Sequence, residues 1–469
     1  MPDGILSLLL VAATTVLAPT VFGAGLLRRL GLPAGSGVVV TVTHGYVVGH
    51  VVLALATSLW LLSGQVAPGL VLPLAAAVAG ACWLRTATAT TTTGDTPAPR
   101  EGAAWLVTGV AIVLVAVHVH ACLATNAMPI RLGDEAEIWA AKAKVLYAAN
   151  VIEPRLGFAM VAHADYPNLD PLLQVLAFAG LGRVLQWENR LPLQAFGAVL
   201  LLLLADAMRR RTRTPVAIAV LLAASGSLAT AGATTAQADV PLAAAMLATV
   251  DALLRWRETG HVAWWRTACL AACAVLALKN EGTLLLLAVA LPTALWWWRG
   301  PDGTARLPRR AWSWLGAPLL ALGLHHGFLA WFDLRTDLVD PALGGGRGLF
   351  ARIVAQAGSH GPDVLACFGR LAVDPLQHRL LPVLALGAGI VAAACGGRRF
   401  LGTPAACLLA TTTLTIGGYM LVFVGTHADL TWHLATAASR IVCHVVPVAA
   451  LALAMTIAPR TPDAYAGAR

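Results

Sequence analysis

Charge is what this sequence has least of. Asp, Glu, Lys and Arg make up 12% of its 469 residues, against 58% hydrophobic, which excludes a water-soluble domain, where about a quarter of residues are charged. Long runs of one sign are also missing. The formal +9 is carried by short arginine clusters set between apolar runs, where membrane topology places them, so nucleic acid is not a predicted partner. All eight cysteines lie in or beside apolar runs, and Cys269 with Cys273 is poor disulfide geometry on one helix. Neither a disulfide framework nor a zinc site is predicted. The first apolar run lacks a basic leader and is followed by Arg28 and Arg29 rather than a small-residue cleavage site, so it reads as a true span and not a signal peptide. No internal repeat is evident.

What is present is apolar sequence almost from end to end, with mean hydropathy +0.75, the profile of an all-α polytopic membrane protein. About thirteen spans of roughly 17–25 residues are predicted. Four of these, Ile5 to Leu27, Val38 to Leu62, Val66 to Leu84 and Ala104 to Leu123, precede a long polar loop, and the rest lie between Leu191 and Ile457. The arginine clusters then fall on one side, taken as the cytoplasm by the positive-inside rule. The N-terminus is left outside and the C-terminus cytoplasmic in a cell (inner or plasma) membrane. This topology closes only if the apolar run Pro171 to Leu185 does not cross, so it is assigned to the outer interface. The Thr/Pro-rich stretch Thr86 to Gly102 and the Gly-rich stretch Asp340 to Gly348 read as linkers. The division expected is an N-terminal module with its linker over 1–102 and a transmembrane core over 103–469, with outer loops at 126–190 and 333–378.

Sorting the polar residues by side produces a convergence. Asp134, Glu135, Glu137, Asp165, Asp239, Lys279, Glu281, His427, Asp429, His433 and Arg440 come from separate segments yet share the outer boundary. Ionisable groups at membrane depth are costly unless paired or facing water, which makes them functional candidates. The densest segment, LGDEAEIWAAKAKVLYAAN from Leu132 to Asn150, reads as a helix lying flat on the outer leaflet. Its apolar face is Ile138, Trp139, Val145, Leu146 and Ala149, interrupted by Lys142. Asp134 and Glu135 sit at its N-terminus, where the helix dipole favours carboxylates; a plain N-cap is the alternative for Asp134. Asp165, in HADYPNLDP, is placed in a turn by Pro167 and Pro171. A second acid there would suit a divalent cation, a split of acid and base roles, or sugar hydroxyls.

GDEAEIWAAKAKVLY, HADYPNLDPLLQ, ENRLP, ADVPLA, LKNEG and SRIVCHVVP, in order from Gly133 to Pro447, together resemble the GT-C superfamily of integral-membrane glycosyltransferases, the group of the protein O-mannosyltransferases and the lipid A aminoarabinose transferase. The resemblance implies transfer of a sugar from a polyprenyl-phosphate donor to a glycan, lipid or protein acceptor at the outer face, with inversion. It implies Asp134 as base with Glu135 beside it and Asp165 as a further catalytic acid. A lipid phosphate leaving at the interface needs cations, for which Arg440 comes first and Lys279 second. Asp239 caps its span or orients a sugar hydroxyl, Glu281 neutralises Lys279, and Tyr166 and His444 complete the expected substrate contacts. No cofactor is required, and a divalent cation is left open. Family members place the acidic loop after the first span, whereas four precede it here, so the first three spans are an added module. The other readings are a lipid-linked-sugar binding or flipping protein without transferase activity, and a transporter, although a transporter would carry charge near the midplane and repeat symmetry.

Overall fold

The computed structural model describes residues 2–63, 69–87, 103–130, 133–148, 154–230, 232–299, 307–336, 347–374 and 380–460. Among these the chain is helical, with no strand beyond one isolated bridge between Thr212 and Pro459. The N-terminal helices are α1 (Pro2–Ala12), α2 (Ala18–Arg29), α3 (Val38–Leu62) and α4 (Val71–Ala87), followed by α5 (Ala104–Thr125). The polar loop carries α6 (Ala141–Tyr147), α7 (Pro154–Ala159) and α8 (Leu169–Leu181). Then come α9 (Leu191–Arg211), α10 (Thr214–Thr230), α11 (Asp239–Thr259), α12 (Val262–Leu278), α13 (Gly282–Arg299) and α14 (Gly316–Phe332). The chain closes with α15 (Leu349–Val373), α16 (Leu381–Gly396), α17 (Arg398–Leu401), α18 (Pro404–Val424), α19 (Leu430–Val442) and α20 (Val446–Ile457).

Among the described residues six helical stretches are long and apolar enough to cross a membrane, α1 with α2 counting as one, and seven if α19 and α20, bent by 47°, form one broken span. This is a multi-pass membrane protein. The sequence pattern counts about thirteen crossings, and the difference lies in short apolar helices of 16–18 residues (α4, α10, α12, α13 and α16), together with α11, which carries more charge. α8 has 13 residues and rises about 20 Å, short of the ~30 Å hydrocarbon core. It packs among other helices, with Leu169 through Ala179 buried.

Small residues set the packing of the N-terminal helices. A Cβ added at Gly23 would lie 1.9 Å from Gly45 O, one at Gly49 1.9 Å from Pro19 O, and one at Gly25 2.4 Å from Gly80 O. Backbones therefore meet directly, the usual means of helix association in lipid, where apolar burial gives little drive. α3 also joins the rest of the chain: the Tyr46 hydroxyl donates to Pro192 O, and its ring meets Phe196 edge to face. The stretches 88–102 and 337–346, which hold most of both expected linkers, fall outside the described residues.

Candidate functional site

The acidic segment does not fold as the regular helix its pattern suggests. Glu135–Ala140 is a turn of π-helix that passes into α6. Lys142, which interrupts the apolar face, is itself fully buried with it. Its ammonium donates to the carbonyls of Ala164 (2.7 Å) and Tyr166. Burial pulls its pKa down to about 7, against the pull of Asp165 in the other direction. Two distant strips of the polar loop are thereby fastened together.

Asp134 precedes this π-turn but does not cap it by its side chain. Its carboxylate instead pairs with the Arg440 guanidinium, 306 residues on, in the last turn of α19. Both side chains keep access to solvent, Asp134 at 39% and Arg440 at 27%. The neighbouring acid is held differently. Glu135 is buried, takes a two-pronged ion pair from Arg190 (2.6 and 2.9 Å) and also accepts from Ala236 N at 2.7 Å. Such a fork fixes a carboxylate in place.

A second group lies beside the first, since Arg440 feels the charge of Asp239 as well as that of Asp134. Asp239 opens α11, and its Oδ1 accepts from Lys279 Nζ and from His444 Nε2, both at 2.9 Å. His444 is fully buried, and its Nδ1 stands 2.7 Å from the Tyr419 hydroxyl. With Nε2–H given to Asp239, Nδ1 accepts from Tyr419. Lys279 also meets Glu281 at 3.3 Å and lies 5.8 Å from the centre of the Tyr166 ring. Two carboxylates next to a buried ammonium hold its pKa well above the usual lysine range, outweighing burial. Tyr166 is clamped between Trp139 (5.4 Å) and His163 (5.2 Å), both stacked on it. Asp165 accepts from Asn280 Nδ2 at 2.6 Å, which pins the HADYP turn to the segment carrying Lys279 and Glu281.

The expected site residues are therefore gathered at one end of the helix assembly, within two groups that Arg440 links. Among the described residues, no three His, Cys, Asp or Glu side chains converge as metal ligands. Several partners were not foreseen. Arg190, inside ENRLP, and Asn280, inside LKNEG, were visible in the motifs; Tyr419, in the middle of an apolar helix, carried no signal. Buried beneath them is Asp170. One of its oxygens accepts from Gln174 at 2.9 Å, Gln174 in turn accepts from Asn189 at 2.6 Å, and the other Asp170 oxygen has no partner.

A helical protein with several helices able to cross a membrane thus carries a half-open cluster of carboxylates and cations at one end, a placement that marks functional sites in membrane proteins. Residues 169–331 match the family model described as dolichyl-phosphate-mannose-protein mannosyltransferase, about a third of the chain. With the apolar helices, this match supports a multi-pass membrane glycosyltransferase of the GT-C type that uses a lipid-linked sugar. It runs from α8 nearly to the end of α14, taking in Asp239, Lys279 and Glu281 and leaving out Asp134, Asp165 and Arg440. No curated protein and no solved structure matches the chain significantly.

Proposed function

We propose that the protein transfers a sugar from a polyprenyl-phosphate donor to an acceptor hydroxyl at the outer face of the membrane, with Asp134 as the base. The observation that carries this is the pairing of Asp134 with Arg440 beside the Lys279–Asp239 pair. It puts a solvent-reachable carboxylate on one cation, Arg440, whose charge is also felt by Lys279, at the end of an apolar helix assembly. In this reading the acceptor oxygen attacks the anomeric carbon from the side opposite the phosphate, inverting it. Its proton goes to the Asp134 carboxylate, the bond from the anomeric carbon to the phosphate oxygen breaks, and the electron pair leaves with the phosphate. Arg440 and Lys279 stabilise that developing charge, a task that pre-set cations in a partly dry site perform well.

The donor phosphate competes with Asp134 for Arg440. Its arrival frees the carboxylate to take a proton. Glu135, engaged by Arg190 and Ala236 N, holds the segment that carries Asp134, and Asp165 fixes the turn that presents Tyr166. His444 and Tyr419 set the orientation of Asp239, and Glu281 balances Lys279. The N-terminus lies outside and the C-terminus in the cytoplasm, in a topology of about thirteen crossings with the short helices counted as spans.

The test is release of free polyprenyl phosphate from polyprenyl-phosphate hexose, followed by mass spectrometry with an acceptor extract of the native membrane. Wild type should release it. Asp134→Asn should lose about 10²–10⁴-fold in turnover, the range for removing a general base, while still binding donor. Equal release by both would move the base elsewhere, and release by neither, across several sugar donors, would favour a lipid-handling protein.

A further inference from the structure

Three side chains beneath the candidate site form a hydrogen-bonded row with both ends unmet. Asp170 and Gln174 stand one turn apart at the start of α8, and Asn189 lies in the short 3-10 turn Glu188–Arg190 that leads into α9. All three are fully buried. Gln174 Nε2 donates to Asp170 Oδ1 at 2.9 Å, and Asn189 Nδ2 donates to Gln174 Oε1 at 2.6 Å. Asp170 Oδ2 is left at one end and Asn189 Oδ1 at the other, both acceptors and both without a partner among the described residues. A buried polar group left unmet costs about 1–3 kcal/mol, and more where it is charged. An ionised Asp170 would leave two such groups, one of them on a carboxylate. One proton on Oδ2 removes both defects, because it turns the spare acceptor at one end into the donor that the other end needs. The surroundings agree. Burial pushes the Asp170 carboxyl well above its ordinary range, and the charges of Glu135 and Asp239 push the same way, against the Gln174 hydrogen bond and the charge of Lys279.

We propose that Asp170 is a positioning residue: as a neutral acid it donates from Oδ2 to Asn189 Oδ1, closing a ring of three side chains that sets the Glu188–Arg190 turn and, through it, the segment bearing Asp134. The link is short. Asn189 is followed by Arg190, whose guanidinium grips both oxygens of Glu135 (2.6 and 2.9 Å) and also donates to Thr125 O at 3.2 Å. Glu135 adjoins Asp134. At its other end the ring is anchored in the first turn of α8, four residues after Tyr166. Lys142 ties the Asp134 strip to the HADYP turn from one side, and the ring ties the same turn to the Arg190 grip from the other. Neutrality matters here, because a charged Asp170 would add a further negative charge beside Glu135 and Asp239, whose cations Arg190 and Lys279 are already taken. The proposal rests on the transferase reading only for the consequence to turnover.

Infrared spectra of the full-length protein in nanodiscs at neutral pH, with and without carbon-13 at the aspartate carboxyls, test the proton. Wild type should show a label-sensitive carbonyl stretch of a protonated carboxyl group that Asp170→Asn lacks. Asparagine offers an N–H where the acid has its O–H, so the ring survives in that variant, whereas Asp170→Ala opens it. Hydrogen exchange followed by mass spectrometry should match wild type in Asp170→Asn. In Asp170→Ala it should speed up about tenfold or more in peptides covering Gly133–Ala140 and Glu188–Arg190, and stay unchanged at the Asp251–Arg255 end of α11. Turnover should follow, with kcat kept within about threefold in Asp170→Asn and lowered about tenfold or more in Asp170→Ala, at a KM for the donor within about twofold in both. The proposal is overturned if wild type lacks the band, or if Asp170→Asn exchanges and turns over like Asp170→Ala. It is overturned too if exchange quickens evenly over all helices, or if kcat in Asp170→Ala is untouched, which would make Asp170 a packing residue only. The band and Asp170→Asn decide even where Asp170→Ala does not fold. Neither the band nor the exchange map needs sugar or acceptor: the expected band and map without sugar transfer in wild type sink only the transferase reading, and transfer without them sinks only this one.

Discussion

α11 carries two charge networks, and their contrast separates what holds this protein together from what it works with. The one at its start, around Asp239, is described above. The other lies three to four turns on, about 18–24 Å along the same helix, at Asp251 and Arg255. There Asp251 accepts from Arg211 (2.7 Å) and Arg255 (2.6 Å), Asp206 from Arg255 and Arg209 (2.6 Å each), and Glu258 from Arg211 (2.5 Å). The Arg255 guanidinium also lies over the Trp264 ring at 5.0 Å. The central side chains Asp206, Asp251, Arg211 and Arg255 are at most 4% exposed, and the outer members Glu258 (31%) and Arg209 (32%) reach solvent. Each acid in this far network is met by a planar guanidinium, the geometry suited to buried ion pairs. The near network instead uses Lys279 and His444 as well as Arg440, and leaves Asp134, Arg440 and Glu281 in reach of solvent. A closed network fixes helices; a half-open one has capacity left for a ligand.

Breaking one network and then the other tests that division. Arg255→Met leaves Asp206 and Asp251 short of a partner in a buried setting, for which a cost of about 3–5 kcal/mol is typical. Folded protein recovered in detergent, measured by fluorescence-detected gel filtration, should fall severely, with the midpoint of thermal unfolding lowered in whatever remains. Arg440→Gln removes a cation that solvent already reaches, so stability should change by no more than about 1 kcal/mol. Turnover should nevertheless drop by about 10²-fold or more, with partial recovery in Arg440→Lys. The division fails if Arg440→Gln unfolds the protein, or if Arg255→Met folds normally and loses only activity.

The near network was legible in the sequence because a membrane protein spends charge sparingly. Asp134, Asp239, Lys279, Glu281 and Arg440 stood out at the ends of apolar runs, and a consistent topology was enough to bring them to one boundary. The pairings within it were not legible. That Arg440 takes Asp134 and Arg190 takes Glu135 joins residues 306 and 55 positions apart, which no local period foresees. The far network was missed for another reason. Its arginines were read as topological markers, and Asp206 and Asp251, buried inside otherwise apolar helices, have no periodic signature. α11 is ambiguous as a span for a related reason, since it joins an apolar middle to a charged end.

A smaller effect sharpens the account of the near network. Tyr419→Phe removes the hydroxyl that His444 Nδ1 accepts from and leaves every charge in place. A net loss of about 0.5–1.5 kcal/mol in stability is expected for one such hydrogen bond. If His444 serves to orient Asp239, and through it Lys279, kcat should fall a few-fold with KM nearly unchanged, and His444→Gln should fall further. A change in KM alone would instead place His444 in contact with donor or acceptor.

The last effect is one of pH and concerns Lys142, which joins the strip bearing Asp134 to the turn bearing Tyr166. Its pKa is lowered by burial to about 7 in the folded protein, against about 10.4 in an unfolded chain. Between those values the unfolded chain binds the extra proton, so stability should rise with pH from about 7 to about 10, by at most ~1.4 kcal/mol per pH unit. Below pH 7 the ammonium is charged in both states and the penalty is constant. Lys142→Met should flatten this part of the profile of thermal midpoint against pH, while lowering the midpoint itself through loss of the bonds to the Ala164 and Tyr166 carbonyls. The same slope in wild type and variant would mean that Lys142 keeps its proton on folding. The contact would then be a charged clamp, and the segment carrying Asp134 would be held by electrostatics rather than by a neutral amine shared between two carbonyls.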